Sequence, residues 1–304
     1  MPRRKGTIVL ATTAIAGLVA AGSGVAAGSG AARGTPHARS VLLATPQFTV
    51  TISGKHHYNV SGPRHFSAGR IAVTLHAKKG EQEVGIARLH KGYTYADANR
   101  DFGKFFSSQK PSPAALRALN RVAHRVTFYG GLDSGKAHTT VSGTFMLRKA
   151  GTYLMLDDEN GPGSPKPVKL HVSKRVGSRI TPASSATVKA TSLKRWRGAK
   201  HLPATGTITF KNVSNNSPHF LVLDHVKKGT TRRQVINALN SNFQGRPSFA
   251  LSGEVDSDVL SPGHAQTLTY SLPSGSYAEM CFFPDLKTGE PHAMMGMVRI
   301  VHLK

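Results

Sequence analysis

An internal repeat constrains this chain more than any other feature of its sequence. Residues 69–94 align with residues 206–231 without a gap, and further on residues 149–153 align with residues 273–277. Two copies of one pattern in the same order indicate a duplicated domain. With 304 residues the chain is long enough for two domains of ordinary size. The sequence therefore predicts two similar domains in tandem.

Both copies carry the pattern of β structure. Short runs rich in β-branched and aromatic residues alternate with turn residues. The strand-like runs are residues 71–75, 84–89, 139–147, 168–172, 208–212, 220–223, 266–271, 277–282 and 298–303. Many short strands with turn signals between them are typical of a β-sandwich. We therefore predict an all-β fold with one sandwich in each copy.

A short helical pattern interrupts each copy at the matching place. In the second copy, either of two adjacent threonines can cap a helix over residues 232–239. In the first copy, residues 95–106 are weakly helical. Ser112 and Pro113 then form a good N-cap and first position for a helix over residues 114–123. Each sandwich is therefore predicted to carry a short helical insertion.

The charge of the chain is strongly unbalanced. It has 40 Lys and Arg against 15 Asp and Glu, a formal net charge of +25, so we expect anionic partners or surfaces. Residues 173–203 hold eight of the basic residues and no acidic one. We predict that they form a solvated basic linker, in which Trp196 could anchor an acidic envelope polymer. Nucleic-acid binding is not expected, because no motif for it is present.

The N-terminus has the layout of a secretory signal peptide. Arg3, Arg4 and Lys5 precede an apolar stretch, which small residues then follow. We predict that residues 1–32 are removed on export, which leaves a secreted or envelope-associated protein without a stable membrane span. The alternative is a retained anchor, since the uncharged stretch over residues 6–32 is long enough to span a bilayer. Its Gly-, Ser- and Ala-rich second half is a weak lipid-facing surface.

The segment that carries most chemistry lies near the C-terminus. A predicted strand delivers Cys281, the one cysteine of the chain, and the next loop carries His292 and Met297. A further histidine, His219, follows an Asn- and Ser-rich turn at the start of another strand. One thiolate and two imidazoles form a trigonal site suited to copper, which a weak axial thioether completes. A rigid sandwich would hold these ligands nearly fixed in both oxidation states of copper.

This constellation resembles the cupredoxins, the superfamily of plastocyanin and azurin. The resemblance covers about residues 203–304 and includes the turn before His219, the tyrosine four residues before Cys281 and the glycine directly before Met297. It implies a Greek-key β-sandwich. It also implies that His219, Cys281 and His292 hold one copper ion, with Met297 in the axial position.

One loop departs from the cupredoxin pattern. Ten residues separate Cys281 from His292, more than in plastocyanin or azurin, and Pro284 and Pro291 stiffen this segment. The reach of His292 is therefore the point on which normal ligand geometry depends. Met297 is preferred as axial ligand over the two methionines just before it, because the preceding glycine frees the backbone and the last strand begins at once.

The first copy lacks this ligand set. By the alignment of the copies, Gln82 stands in the place of His219 and Asp157 in the place of Cys281. The loop at residues 161–165 has neither His nor Met. We therefore predict that the first copy is cupredoxin-like in fold but does not bind copper in this way.

The predicted organisation has four parts. These are a signal peptide at residues 1–32, a degenerate cupredoxin-like domain at 45–172, a basic linker at 173–203 and a copper-binding cupredoxin-like domain at 204–304.

Three functions are compatible with these observations. The first is a secreted type 1 copper protein that transfers single electrons at the cell envelope to a redox partner that the sequence does not name. The second is a copper(I) chaperone or store supplied by a copper donor, which the Met-rich loop favours. The third is a metal-free module of two sandwiches that binds envelope polymers or proteins, with Cys281 as a buried packing residue.

An enzyme is the least favoured class. Multicopper oxidases resemble repeated cupredoxin domains, but they need His-x-His pairs and a His-Cys-His motif, and the 15 histidines of this chain form neither. The sequence also has no nucleophile elbow, P-loop or His-Glu-x-x-His motif. We therefore expect a copper-binding or electron-transfer protein.

Overall fold

The computed structural model describes residues 44–53, 58–78, 82–107, 111–135, 139–157, 166–192, 194–241 and 247–304. It contains two β-sandwiches with a similar arrangement of elements. Within these residues the chain forms seventeen strands and three short helices, which confirms the prediction of an all-β fold. The predicted signal peptide at residues 1–32 and the 161–165 loop lie outside the described residues. In the described part, no helix combines the length and the apolar character needed to cross a bilayer.

The first copy forms what we call the N-terminal sandwich. Its elements are β1 (Gln47–Ile52), β2 (Tyr58–Ser61), β3 (His65–Ala77), β4 (Glu83–Leu89), α1 (Tyr95–Phe106), α2 (Pro113–Arg125), β5 (Val126–Asp133), β6 (Thr139–Leu147), β7 (Gly151–Leu156) and β8 (Val168–Val176).

The second copy forms the C-terminal sandwich. Its elements are β9 (Ala186–Ala190), β10 (Trp196–Gly198), β11 (His201–Leu202), β12 (Thr205–Asn212), β13 (Val222–Val226), α3 (Arg232–Asn240), β14 (Ala250–Asp256), β15 (Ala265–Ser271), β16 (Gly275–Met280) and β17 (Val298–Leu303).

The two copies of the sequence repeat share a local structural feature, a buried tyrosine that bonds to the backbone. Tyr153 and Tyr277 are both fully buried, and each hydroxyl donates to the carbonyl four residues earlier, at 2.7 Å to Lys149 and 2.8 Å to Pro273. Such a tyrosine corner fixes the turn that enters the strand. The same turn therefore starts β7 in one sandwich and β16 in the other.

Two continuous sheets run through both sandwiches. The first sheet has the strand order β2–β1–β3–β6–β15–β12–β9–β10. The second has the order β3–β8–β7–β4–β5–β14–β13–β16–β17–β11. Strand β3 is long enough to contribute one half to each sheet. Each sandwich therefore has two layers, and both layers continue into the other sandwich.

The seam between the sandwiches contains main-chain pairing as well as packed side chains. In the first sheet β6 and β15 pair antiparallel over four residue pairs, and in the second sheet β5 and β14 meet at one pair. Gln266 crosses the seam, since its amide accepts a hydrogen bond from the Gly131 N–H at 2.9 Å and donates to the Gly131 carbonyl at 3.1 Å. One buried hydrophobic cluster includes residues from both sandwiches.

Each of the three helices begins at a side-chain cap, and the caps of α2 and α3 were expected from the sequence. Thr94 and Thr231 cap α1 and α3, each in a capping box with the residue three positions on. Ser112 caps α2, and Pro113 takes its first helical position. The predicted helix ends are confirmed to within two residues, because the caps satisfy first-turn N–H groups locally.

Part of the predicted basic linker is folded into the C-terminal sandwich. Strand β9 pairs in parallel with β12, in the same way that β1 pairs with β3 in the N-terminal sandwich. Strands β10 and β11 follow, and they pair with β9 and β17. Residues 186–202 thus belong to the sheets, because small apolar residues alternate with the basic ones and bury one side of β9. The outer limits of the two domains stay predictions.

Trp196 is a core residue. Its side chain is 7% exposed, its indole Nε1 donates to the Met297 carbonyl at 3.2 Å, and its ring lies 6.0 Å from that of Phe210. The expectation that it anchors an envelope polymer is therefore wrong. Strand alternation explains the difference, since Arg195 and Arg197 face solvent while the indole between them faces inward.

Candidate metal centre

Antiparallel pairing brings two of the predicted ligands together at one end of the C-terminal sandwich. In the β13–β16 pair Val222 lies opposite Met280, so the chain that enters β13 passes the chain that leaves β16. His219 comes shortly before β13, and Cys281 follows β16 directly. The sheet register therefore places residues that are far apart in sequence side by side.

The structure adds His292 to this pair and forms a compact triangle of donor atoms. The Cys281 Sγ atom lies 3.6 Å from His219 Nδ1 and 3.7 Å from His292 Nδ1, and the two Nδ1 atoms are 3.2 Å apart. A point equidistant from all three corners of that triangle lies about 2.0 Å from each. Bonds of about 2.0–2.3 Å join metal ions to histidine and cysteine. The three donor atoms are therefore close enough together for one metal ion to bind all of them.

These three residues are the one group of at least three His, Cys, Asp or Glu side chains, within the part of the chain that the structure describes, whose donor atoms converge in this way. All three side chains are fully buried. A buried set of one thiol and two imidazoles is a ligand set for a transition metal rather than for Mg²⁺ or Ca²⁺, which prefer oxygen ligands.

The long loop does not keep His292 away from the site, because the loop is closed at its base. Pro284 and Pro291 form an antiparallel bridge, and the residues between them form a separate turn. Above the bridge, the His292 N–H donates to the Phe283 carbonyl at 3.1 Å, and the next N–H donates to the Cys281 carbonyl at 2.7 Å. The chain thus returns beside the strand that it left, and the extra residues project outward.

The projecting turn packs on the N-terminal sandwich. The Asn120 side chain of α2 donates to the Leu286 carbonyl at 2.6 Å. Gly289 lies so close to Pro111 and Leu116 that a Cβ atom there would crowd Pro111. The length of the Cys281–His292 loop therefore has a structural use: it fastens the metal centre of one sandwich to a helix of the other.

The thiol of Cys281 keeps its proton until a metal ion displaces it. Burial raises its pKa to about 12, which the backbone N–H groups of Phe220 and Phe283 partly oppose by pointing at the sulfur. Those N–H groups are positioned to stabilise a thiolate. Binding of a cation would therefore release the proton and leave a sulfur that already has two donors.

The two imidazoles are kept neutral. Burial, then the proximity of His292, then Lys194 lower the pKa of His219 to about 3, against a smaller opposing effect of the Thr191 backbone. Burial and Lys194 also lower the pKa of His292 to about 4, which Asp285 partly opposes. Metals bind the neutral form of histidine. Both rings are therefore available as ligands at neutral pH.

A buried asparagine holds the turn that presents His219. The Asn212 side chain donates to the carbonyls of Ser217 and Leu260 at 2.9 and 2.7 Å, and it accepts from the Ser214 N–H at 3.0 Å. His219 itself exchanges two main-chain hydrogen bonds with Leu260. The first ligand is thus fixed by a network of backbone contacts, as expected for a preformed site.

The segment just before β10 covers the centre. Lys194 has a left-handed backbone with φ of 52°, and its ammonium pairs with Asp285 at 2.7 Å. Burial favours the protonated form of Asp285, but this ion pair and the N–H groups of Thr288 and Lys287 lower its pKa to about 2. Neither charged residue was predicted from the sequence, where Lys194 was one basic residue among many in an apparent linker. Their pairing depends on the folding of that segment.

The backbone of Met297 lies next to that of His292. Its side chain is fully buried, and its N–H donates to the His292 carbonyl at 2.8 Å. Gly296 precedes it with φ of +98°, a conformation that favours glycine. The placement of Met297 directly after the ligand loop agrees with its predicted role, which stays a prediction.

The corresponding positions of the N-terminal sandwich hold different chemistry. Gln82 and Asp157 are both buried, and neither an imidazole nor a thiol occupies these two positions. The matching 161–165 loop lies outside the described residues.

Comparisons with known proteins give structural neighbours of one kind. No family model and no curated protein match the sequence. The chain is similar to a reduced auracyanin of Roseiflexus castenholzii, with 23% identity and a TM-score of 0.25, over 40% of this chain and 99% of that one. It is similar to auracyanin A, a blue copper protein of Chloroflexus aurantiacus, with 18% identity and a TM-score of 0.25, over 42% and 98%.

A multicopper oxidase of Pediococcus acidilactici is similar across a larger share of the chain. The identity is 8% and the TM-score 0.24, over 86% of this chain and 59% of that one.

Proposed function

We propose that the buried centre of the C-terminal sandwich binds one copper ion and that the protein transfers single electrons at the cell envelope. The ligands would be His219, Cys281 and His292, with Met297 as the weak axial ligand. One observation carries the proposal: three buried donor atoms of the right chemistry surround a point about 2.0 Å from each of them.

The donor set favours copper over zinc. A structural zinc site is tetrahedral, with four strong nitrogen, sulfur or oxygen ligands. Here three strong donors converge, and the fourth candidate is the thioether of Met297, a weak ligand. A trigonal arrangement of two histidines and one cysteine with a long axial methionine is the ligand set of blue copper sites.

Electron transfer is supported by the rigidity and closure of the site. When bound, copper would supply one-electron chemistry by alternating between copper(I) and copper(II). The chain's contribution is to keep the ligands in place: the Asn212 network fixes His219, and the bridge between Pro284 and Pro291 fixes His292. Because all three donors are buried, the site has no evident room for a substrate.

The envelope location rests on the sequence. Residues 1–32 have the layout of a signal peptide, and the net charge of +25 suits an anionic surface outside the cytoplasm. The redox partner stays unidentified.

Copper(I) chaperoning or storage is the second candidate, and burial of the site is the observation that favours it. Both imidazoles are fully buried, and Lys194 acts electrostatically on each of them. A nearby positive charge penalises copper(II) more than copper(I). The same ligands could therefore retain copper(I) as cargo.

The test is a copper(II) titration followed by visible absorption. The expected result is an intense band from thiolate-to-copper charge transfer, which saturates when each buried centre holds one ion. Cys281→Ala and His219→Ala should abolish the band. His225→Ala, which removes a histidine of β13 outside the site, is the matched control and should preserve it.

Each outcome selects one function. A saturating band that survives only in the control variant supports electron transfer. Tight copper(I) retention without a band, lost in Cys281→Ala, supports copper handling. Neither band nor retention would overturn both and leave a metal-free sandwich module.

A further inference from the structure

Each sandwich carries an exposed pair of histidines at the same place in its fold. His65 on β3 lies opposite His171 on β8, and His201 on β11 lies opposite His302 on β17. Both are parallel strand pairs, and all four side chains are exposed. The rings stack, with centroids 4.8 Å apart in the first pair and 5.7 Å apart in the second.

A hydroxyl group on the third strand contacts each pair in the same way. Thr152 on β7 lies opposite His171, with its Oγ1 atom 3.4 Å from Nδ1 of that ring. Ser276 on β16 lies opposite His302, with its Oγ atom 3.3 Å from Nδ1. In both sandwiches the hydroxyl contacts Nδ1 of the ring, and Nε2 takes no part in this contact.

This arrangement is shared while the buried ligand set is not. Gln82 and Asp157 occupy the positions of His219 and Cys281 in the N-terminal sandwich, but the pattern of hydroxyl, histidine and histidine across three strands is present in both. Exposed positions on a sheet accept many residue types. The same three-strand pattern at two such places therefore points to a shared ligand.

We propose that the two exposed histidine pairs are copper(II)-binding sites, one on each sandwich and separate from the buried centre. Imidazole nitrogens are good ligands for copper, and of the common divalent ions of this series copper(II) binds them most tightly. The stacked rings must tilt to direct both nitrogens at one ion. Exposed side chains change rotamer within nanoseconds, so this adjustment is easy.

The surroundings of the second pair make it selective for a strongly binding ion. The second pair borders an open pocket of about 550 Å³, which leaves room for water ligands. Lys228 and Lys304 also line this pocket and repel cations. Weakly binding ions should therefore be excluded, and copper(II) should bind more tightly than zinc(II). This inference is independent of the proposed electron-transfer function.

The test compares the number of copper(II) ions bound by the full chain and by His65→Ala/His201→Ala, measured by equilibrium dialysis and electron paramagnetic resonance. The buried centre is present in both proteins, so its occupancy cancels in the difference. The double variant should bind two fewer ions and lose the resonance of nitrogen-ligated copper without thiolate. Each single variant should bind one fewer.

The matched control is His76→Ala/His90→Ala. These histidines each contact a threonine hydroxyl on a neighbouring strand, Thr140 at 2.9 Å and Thr127 at 3.0 Å, but are not members of the stacked pairs. This control should keep the full number of ions. An unchanged count in His65→Ala/His201→Ala, or an equal loss in the control, would overturn the proposal. Unchanged circular dichroism of the variants verifies that they fold.

Discussion

At the scale of single residues, Lys194 is the clearest tuning group of the metal centre. Its charge acts on His219 and His292, and its ammonium is held by Asp285. Lys194 need not be a ligand to have this effect, because a charge near a redox ion shifts the balance between its oxidation states.

Replacing this lysine should lower the reduction potential of bound copper. We expect Lys194→Met to lower it by about 40 mV, because roughly 1 kcal/mol of repulsion against the oxidised ion is removed. Cyclic voltammetry measures the change. Lys189→Met removes an exposed lysine of β9 as the control and should leave the potential nearly unchanged. A potential that rises or stays constant in Lys194→Met contradicts the assigned role.

At the scale of elements, the turn between Pro284 and Pro291 is organised by one carboxylate. Asp285 Oδ1 accepts from the backbone N–H groups of Lys287 and Thr288, and its other oxygen pairs with Lys194. This turn joins three elements, since it closes the ligand loop, contacts α2 and holds the segment before β10.

The turn should make stability depend on acid pH. The pKa of Asp285 is lowered to about 2 in the folded protein from an ordinary value near 4, so its contribution is present above about pH 4. It is lost as pH falls from about 4 to 2. In urea unfolding, Asp285→Asn should remove on the order of 1–2 kcal/mol of this dependence.

The control for that prediction is Glu290→Gln, a change of an exposed acid in the same turn. The stability of this control variant should fall toward acid pH in the same way as that of the parent protein. If the Asp285→Asn protein loses stability toward pH 2 as steeply as the parent, the ion pair does not stabilise the fold.

At the scale of the whole molecule, the two sandwiches form one structural body through both sheets. Gln266 is almost fully buried and satisfies both backbone groups of Gly131 across the seam. A Cβ atom at Gly130 would overlap this side chain. The close approach of the sandwiches therefore requires glycine at that position.

Breaking this bridge should weaken both sandwiches together. Gln266→Ala leaves a buried N–H and a buried carbonyl without their partner, which should cost about 2 kcal/mol in the free energy of unfolding. Gln47→Ala, which removes an exposed glutamine, should cost far less. Urea unfolding gives both values. An equal, small cost in both variants would contradict the seam as described.

Unfolding should be a single transition for the same reason. Trp196 is the one tryptophan and lies in the C-terminal sandwich, so its fluorescence follows that sandwich, whereas far-ultraviolet circular dichroism follows both. Coincident curves are expected. Two separate midpoints would show that the sandwiches unfold independently.

Local features of this protein were predictable from its sequence. The spacing of apolar residues predicted the strands, and Ser112 with Pro113 predicted a helix start, because both signals act over a few residues. The chain order of His219, Cys281 and His292 identified the candidate ligands. The convergence of His219 and Cys281 follows from antiparallel pairing once the strands are known.

Features that depend on partners far apart in the sequence became visible in the folded protein. The strands at residues 186–202 were not predicted, because their basic residues suggested a solvated linker. The sheet edge with which they pair depends on the main-chain groups that other strands leave unpaired. The reach of His292 depended on a bridge at the base of its loop, and the positive charge near the centre depended on the pairing of Lys194 with Asp285. The seam was equally invisible, because hydrogen bonding between two edges leaves no periodic signal in either strand.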